Sequence, residues 1–154
     1  MALPMPAGTR SGQSEHMRML TVRAAAPADA SAVVALWRVA GAEPTHTDDA
    51  ASLCRLLEHD PLELIVAEAD GNLMGSVIAA WDGQRGAIYR LVVVPSERRH
   101  GLGRRLLRAA ERRLANAGAS RLQSIVVETD VQAAGFWRAS GWEEQVERLR
   151  FVMG

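Results

Sequence analysis

The chain has 154 residues, the size of one ordinary domain with a single apolar core. Its 18 Lys and Arg cancel its 18 Asp and Glu, which gives no reason to expect a nucleic-acid partner. One cysteine, Cys54, excludes an internal disulfide and offers no zinc-ligand spacing, so no metal is expected and the residue reads as a small hydrophobe.

Residues 1–18 mix Pro, Gly and Ser and read as a flexible N-terminal extension ahead of one domain over residues 19–154. They hold no apolar core of signal-peptide length, and no later run approaches a membrane span; a cytoplasmic protein without a membrane partner is expected. Residues 20–23 read as a first strand. Pro27-Ala28-Asp29 then opens a helix to about Ala40, with Val33, Leu36 and Trp37 on one face and Gly41 at its end. The turn and capping residues of 43–49 lead into a second helix carrying Leu53, Leu56 and Leu57, which stops near His59-Asp60-Pro61.

Residues 63–69 and 73–81 are apolar runs of strand length joined by Asp70-Gly71-Asn72, a hairpin signal because these residues tolerate positive φ. A second turn over residues 82–86 leads to a strand over 87–94. Three consecutive antiparallel strands follow. A helix over 103–117 would bury Leu106, Leu107, Ala110 and Leu114 and end at Gly118, before a β-branched strand over 122–128. That strand-helix-strand unit is expected to be a right-handed parallel crossover. A last helix over 131–140 and strands over 142–146 and 148–152 complete a mixed α/β sheet.

The junction after the third of these strands carries the chemistry. Val92, Val93 and Val94 end at Pro95, which cannot donate to a ladder, and Arg98, Arg99, His100, Gly101, Leu102, Gly103 and Arg104 then form a basic glycine loop opening a helix. Amides exposed by two glycines, with a helix N-terminus behind them, suit a phosphate, and Arg98, Arg99 and Arg104 are placed to help. A Walker loop is excluded because no lysine-serine pair follows. A dinucleotide fingerprint needs a third glycine where Leu106 stands.

The spacing Arg98-x-x-Gly101-x-Gly103 after Val93-x-Pro95 resembles the acetyl-CoA loop of the GCN5-related N-acetyltransferases. Asp130-x-x-Ala133-x-x-Phe136-Trp137-x-x-x-Gly141-Trp142 is similar to that family's closing segment. The resemblance covers residues 88–142. It implies a largely antiparallel sheet with a parallel β-α-β acetyl-CoA-binding unit and flanking helices, and transfer of acetyl to a primary amine of a small molecule or peptide by direct attack in a ternary complex. Val92, Val93 and Val94 would line the pantetheine arm, and an amide near Val93 would polarise the thioester carbonyl. Residues Arg99 through Arg104 would hold the pyrophosphate, with Arg98 at the loop entry and Asp130, Phe136 and Trp137 as further cofactor contacts. Residues 43–49 lie in the region that shapes the family's acceptor pocket.

Three positions depart from the family's acid and base. Ala87 and Ile125 stand where members carry a glutamate, and Trp137 where many carry the tyrosine that protonates the leaving thiolate; indole donates a hydrogen bond but no proton. Asp130 replaces the usual asparagine. Tyr89, the only tyrosine, shares a strand face with Ala87 and is the replacement candidate. Glu68 at its strand end and Asp82 in its turn could take the amine's proton through water, and His46 sits in the acceptor loop. Without a dedicated base, an α-amine near pKa 8 would be favoured over a lysine-like amine near 10.4. The same residues also fit an acyl-CoA sensor without turnover, or O-acyl transfer with a base from elsewhere. Pairing along a free sheet edge would make a homodimer.

Overall fold

The computed structural model describes residues 20–154, and the expected N-terminal extension over residues 1–18 lies outside them. The described residues form two compact units, residues 20–124 and Ile125–Gly154. In the first, five strands, β1 (Leu20–Ala24), β2 (Leu64–Ala69), β3 (Asn72–Trp81), β4 (Gly86–Val93) and β5 (Leu122–Gln123), lie side by side in chain order. The first four are antiparallel and β5 joins β4 in parallel. Asp70 (φ 53°) and Gly71 (φ 78°) make the two-residue hairpin between β2 and β3, as the sequence predicts.

Side chains alternate across this sheet and so build two cores. On one face lie helices α1 (Ala30–Val39) and α2 (Ala50–His59); Val33, Leu36, Trp37, Leu53 and Leu57 pack with Leu64, Val66 and Ile78. The other face carries α3 (Leu102–Ala117), whose buried stripe Leu102, Leu106, Leu107, Ala110 and Leu114 follows the helical repeat. A Cβ on Gly75 would stand 2.7 Å from Leu106 Cδ1 and 2.9 Å from the Val92 carbonyl oxygen, so this helix crosses β3 where there is no side chain. Gly118, at φ 107°, ends α3, and the Ala119 amide returns to the Leu114 carbonyl.

The register of β4 is interrupted. Ile78 faces Tyr89 but Ser76 faces Val92, so Val77 of β3 alone opposes both Arg90 and Leu91 of β4, with Arg90 at φ 53°. The bulge brings Val92 onto the face of Tyr89, packed against the core beneath α1.

In the second unit, α4 (Val131–Ala139) is capped by Asp130, whose carboxylate accepts the Ala133 amide at 3.0 Å. Three expected features change here. The strand read over 122–128 is regular only at Leu122–Gln123, and residues 142–146 and 148–152 form no strands. Val146, Leu149, Phe151 and Val152 stand exposed in this stretch. Among the described residues no helix is long and apolar enough to cross a membrane.

Candidate active site

The end of β4 is built in three steps. Gly86 and Ala87 pair with Leu122 and Gln123, and from Ile88 onward no described residue of β4 has a β5 partner. The bulge follows, fixed from the neighbouring strand: the buried Ser76 hydroxyl donates to the Arg90 carbonyl at 3.1 Å and accepts the Trp37 indole N–H at 2.8 Å. Val92 and Val93 then resume pairing with Ser76 and Gly75, and the Val94 amide reaches the Met74 carbonyl.

Beyond Pro95 the backbone turns into the glycine loop. Arg99 (φ 69°) and Gly101 (φ 81°) both take left-handed conformations immediately before α3. Such residues turn successive amides to one side, making an anion-binding concavity. No side chain caps this helix, and within it the amides of Leu102 and Gly103 have no carbonyl one turn back to bond. His100, Gly101 and Arg104 are exposed and Leu102 is anchored in the core. The Arg98 guanidinium is engaged otherwise. It donates to the Val93 carbonyl at 3.3 Å and the Ala40 carbonyl at 2.8 Å, bracing the loop against β4 and the end of α1.

Tyr89 stands one residue before the bulge with 42% of its surface exposed. Burial of the rest, then the charge of Glu63, raises its phenol above the ordinary value and keeps it protonated at neutral pH. Glu63 itself escaped the sequence reading, because it opens an apolar run and passes for a strand boundary. Its side chain is 4% exposed, burial raises its carboxyl pKa, and His59 Nε2 lies 3.8 Å from it. A carboxylate at the first position of a core strand was the available signal.

Glu68 does not meet Tyr89. Its carboxylate takes the Arg23 guanidinium at 2.7 Å, beside Asp29 on the same arginine at 2.8 Å. Asp82 accepts the Gln84 and Arg85 amides at 2.7 Å, bonds that close its turn and hold its carboxyl below the usual range. His46 is exposed in the loop between α1 and α2. In the second unit, Trp137 meets Phe136 edge-on at 6.0 Å and Trp142 at 4.7 Å, while Asp130 is occupied as a helix cap.

Residues 30–142 match the family model described as Acetyltransferase (GNAT) family. The chain belongs to the GNAT family. An acetyltransferase of Yersinia pestis is 32% identical over 117 residues, which is 76% of this GNAT chain and 83% of the relative. One of Pectobacterium atrosepticum is 31% identical over 75% of this chain and 82% of its own. Among solved structures, Ard1 from Thermoplasma volcanium superposes with a TM-score of 0.71 at 19% identity, covering 80% of this chain and 82% of that one. The aminoglycoside acetyltransferase AAC(6')-Iy, solved with a bisubstrate analogue, gives 0.69 at 22% identity over 88% and 97%. The PaiA N-acetyltransferase from Thermoplasma acidophilum, solved with coenzyme A, gives 0.71 at 16% over 82% and 91%. This GNAT chain shares its fold with these structures, and the curated relatives it matches are named acetyltransferases.

Proposed function

We propose that this protein transfers the acetyl group of acetyl-CoA to a primary amine of a small molecule or peptide, by direct attack while donor and acceptor are bound together. The observation that carries the reading is the pair of left-handed residues, Arg99 and Gly101, opening an uncapped α3 at the end of a bulged strand. That concavity fits a pyrophosphate, and beyond Ala87 the β5-side edge of β4 has no partner among the described residues, as a backbone that bonds an extended pantetheine arm requires. Solved structures named as N-acetyltransferases share the fold and support nitrogen as the acceptor.

Acetyl-CoA supplies an activated acyl carbon; the amine nitrogen bonds to it, the carbon–sulfur bond breaks and the thiolate takes up a proton. The protein's part is to hold and orient. Amides around the bulge would stabilise the oxyanion, and Tyr89, protonated and next to the bulge, would hand its proton to the thiolate. With Glu68 held by Arg23, the attacking amine must lose its proton to water or another base. An amine of low pKa, such as an α-amine, is therefore the favoured acceptor.

Calorimetry with acetyl-CoA, against ATP and NADH, tests the donor; thiol release with glycinamide, trialanine, spermidine and kanamycin tests the acceptor. Selective binding with turnover on an amine is the expected result. Preference for ATP or NADH overturns the loop assignment, and tight acetyl-CoA binding without turnover on any amine makes the protein a sensor.

A further inference from the structure

We propose that Arg90 is the positioning residue of the acceptor side, fastening the loop over residues 43–48 to the bulge of β4 so that acceptor and acyl group meet at a fixed distance. The inference rests on the acetyl-transfer reading above and adds to it a residue that the glycine-loop and closing motifs do not contain.

Arg90 occupies a conformation that disfavours a side chain, with φ at 53°, yet its guanidinium is the hub of the neighbouring contacts. Its Nη2 donates to the Glu43 carbonyl at 2.8 Å, to Thr45 Oγ1 at 3.2 Å and to Asp48 Oδ2 at 2.5 Å. The Arg90 and Asp48 side chains are only 14% and 16% exposed, which sets this pair apart from solvated surface ion pairs. The guanidinium carbon also lies 5.0 Å from the centre of the Trp37 ring.

Each end of this contact is itself fixed. In the loop, Asp48 accepts the Thr45 amide at 3.0 Å and the Thr45 hydroxyl at 2.8 Å, and its own amide returns to the Thr45 carbonyl at 3.2 Å. In the strand, Ser76 holds the Arg90 carbonyl and the Trp37 indole together. Trp37, Ser76 and Arg90 therefore form a closed ring of contacts spanning α1, β3 and β4, and the loop hangs from it through one side chain. Tyr89 is the preceding residue on the strand. A loop that closes over an acceptor there must hold the nucleophile within a few tenths of an ångström of its attack position, since reacting atoms must sit about 3–3.5 Å apart.

Arg90→Asn is the informative variant, because asparagine accepts left-handed φ and the bulge survives without the guanidinium. Amide hydrogen exchange over residues 43–48, the acetyl-CoA Kd, and KM and kcat for the panel amine of highest turnover would be measured. The expected result is exchange and amine KM each raised about tenfold or more, with the acetyl-CoA Kd within about twofold of wild type. Asp48→Asn, which leaves β4 untouched, should repeat the KM rise. Arg90→Lys, retaining charge without the fork, should recover only part of the loss. Unchanged exchange or unchanged amine KM in Arg90→Asn overturns the proposal, as does a parallel loss of acetyl-CoA affinity. If Asp48→Asn leaves KM unaltered, Arg90 acts through the strand and the loop role is wrong. Failure of wild type to bind acetyl-CoA would sink the functional reading instead, while the exchange experiment would still decide whether Arg90 fastens the loop.

Discussion

The Trp37 indole N–H reaches the Ser76 hydroxyl at 2.8 Å across the sheet-helix interface, and both residues are buried. Ser76→Ala would strand that N–H without a partner and release the Arg90 carbonyl, at a cost of about 1–3 kcal/mol. Trp37→Phe on the Ser76→Ala background should cost less than on wild type, because the hydrogen bond is already lost there and the substitution removes the stranded donor. Urea denaturation of the four proteins of the cycle measures the coupling.

At Gly75 the obstacle to a side chain is partly backbone. The Val92 carbonyl oxygen lies 2.9 Å from where a Cβ would sit, and it cannot turn away as Leu106 can. Gly75→Ala should lower stability by roughly 1–3 kcal/mol and displace β4 at Val92, weakening acetyl-CoA binding as well. Thermal melts and calorimetry on the same variant would register both effects; a wild-type melting temperature would contradict the packing described.

Gly101 has open space around it, so only its backbone angle and its place before the amides of α3 matter. Gly101→Ala should cost about 1–2 kcal/mol of stability through the positive φ. Gly101→Asp adds a carboxylate where an anion is proposed to bind, and should weaken acetyl-CoA by at least about tenfold beyond the alanine variant. Equal affinities in the two variants would count against the phosphate concavity.

Tyr89→Phe removes the phenol while keeping the ring. Since burial raises the phenol's pKa above its ordinary value, the wild-type group stays protonated through neutral pH and its contribution to rate should persist beyond the ordinary tyrosine range. The variant should lose kcat on the order of 10²-fold with unchanged acetyl-CoA affinity. A pH–rate profile identical in shape and height to wild type would remove Tyr89 from the mechanism.

Glu63 works in the opposite direction to the paired aspartates. Its carboxyl pKa is raised in the folded protein by burial, so folding favours the protonated form and the ionised form opposes folding above the ordinary glutamate range. Glu63→Gln should melt higher than wild type at pH 7, and the gap should narrow as pH falls through the raised value and be gone below the ordinary glutamate range. For Asp29, whose carboxyl is held low by the Arg23 guanidinium, stability is present above the ordinary aspartate range and is lost as pH falls through it toward the depressed value. Melting curves from pH 3 to pH 7 separate the two signs.

The elements that were readable in the sequence are those whose signals are local. Asp70-Gly71 names its own hairpin, Gly118 its helix end, and the Leu102-Leu106-Leu107-Ala110-Leu114 stripe its buried face. The bulge at Arg90 left no mark, because residues 87–94 read as one unbroken strand and an arginine does not announce a positive φ. That omission hid the most connected side chain near the site, and with it the change of face that brings Val92 beside Tyr89. The contacts of Glu63 and Glu68 depend on residues distant in the chain, His59 excepted, and a single sequence cannot show which arginine a carboxylate will meet. The strands expected over 142–146 and 148–152 do not form, because a run of strand length makes no ladder without a hydrogen-bonded partner.

Position 90 must satisfy two demands that pull toward different amino acids. The backbone angle selects glycine or asparagine, whereas the reach to Glu43, Thr45, Asp48 and Trp37 selects a long, forked cation. In a saturation library the two selections would separate: folding yield would favour the small residues and amine turnover would favour arginine, so variants optimised for heat resistance at this site would drift away from catalytic proficiency.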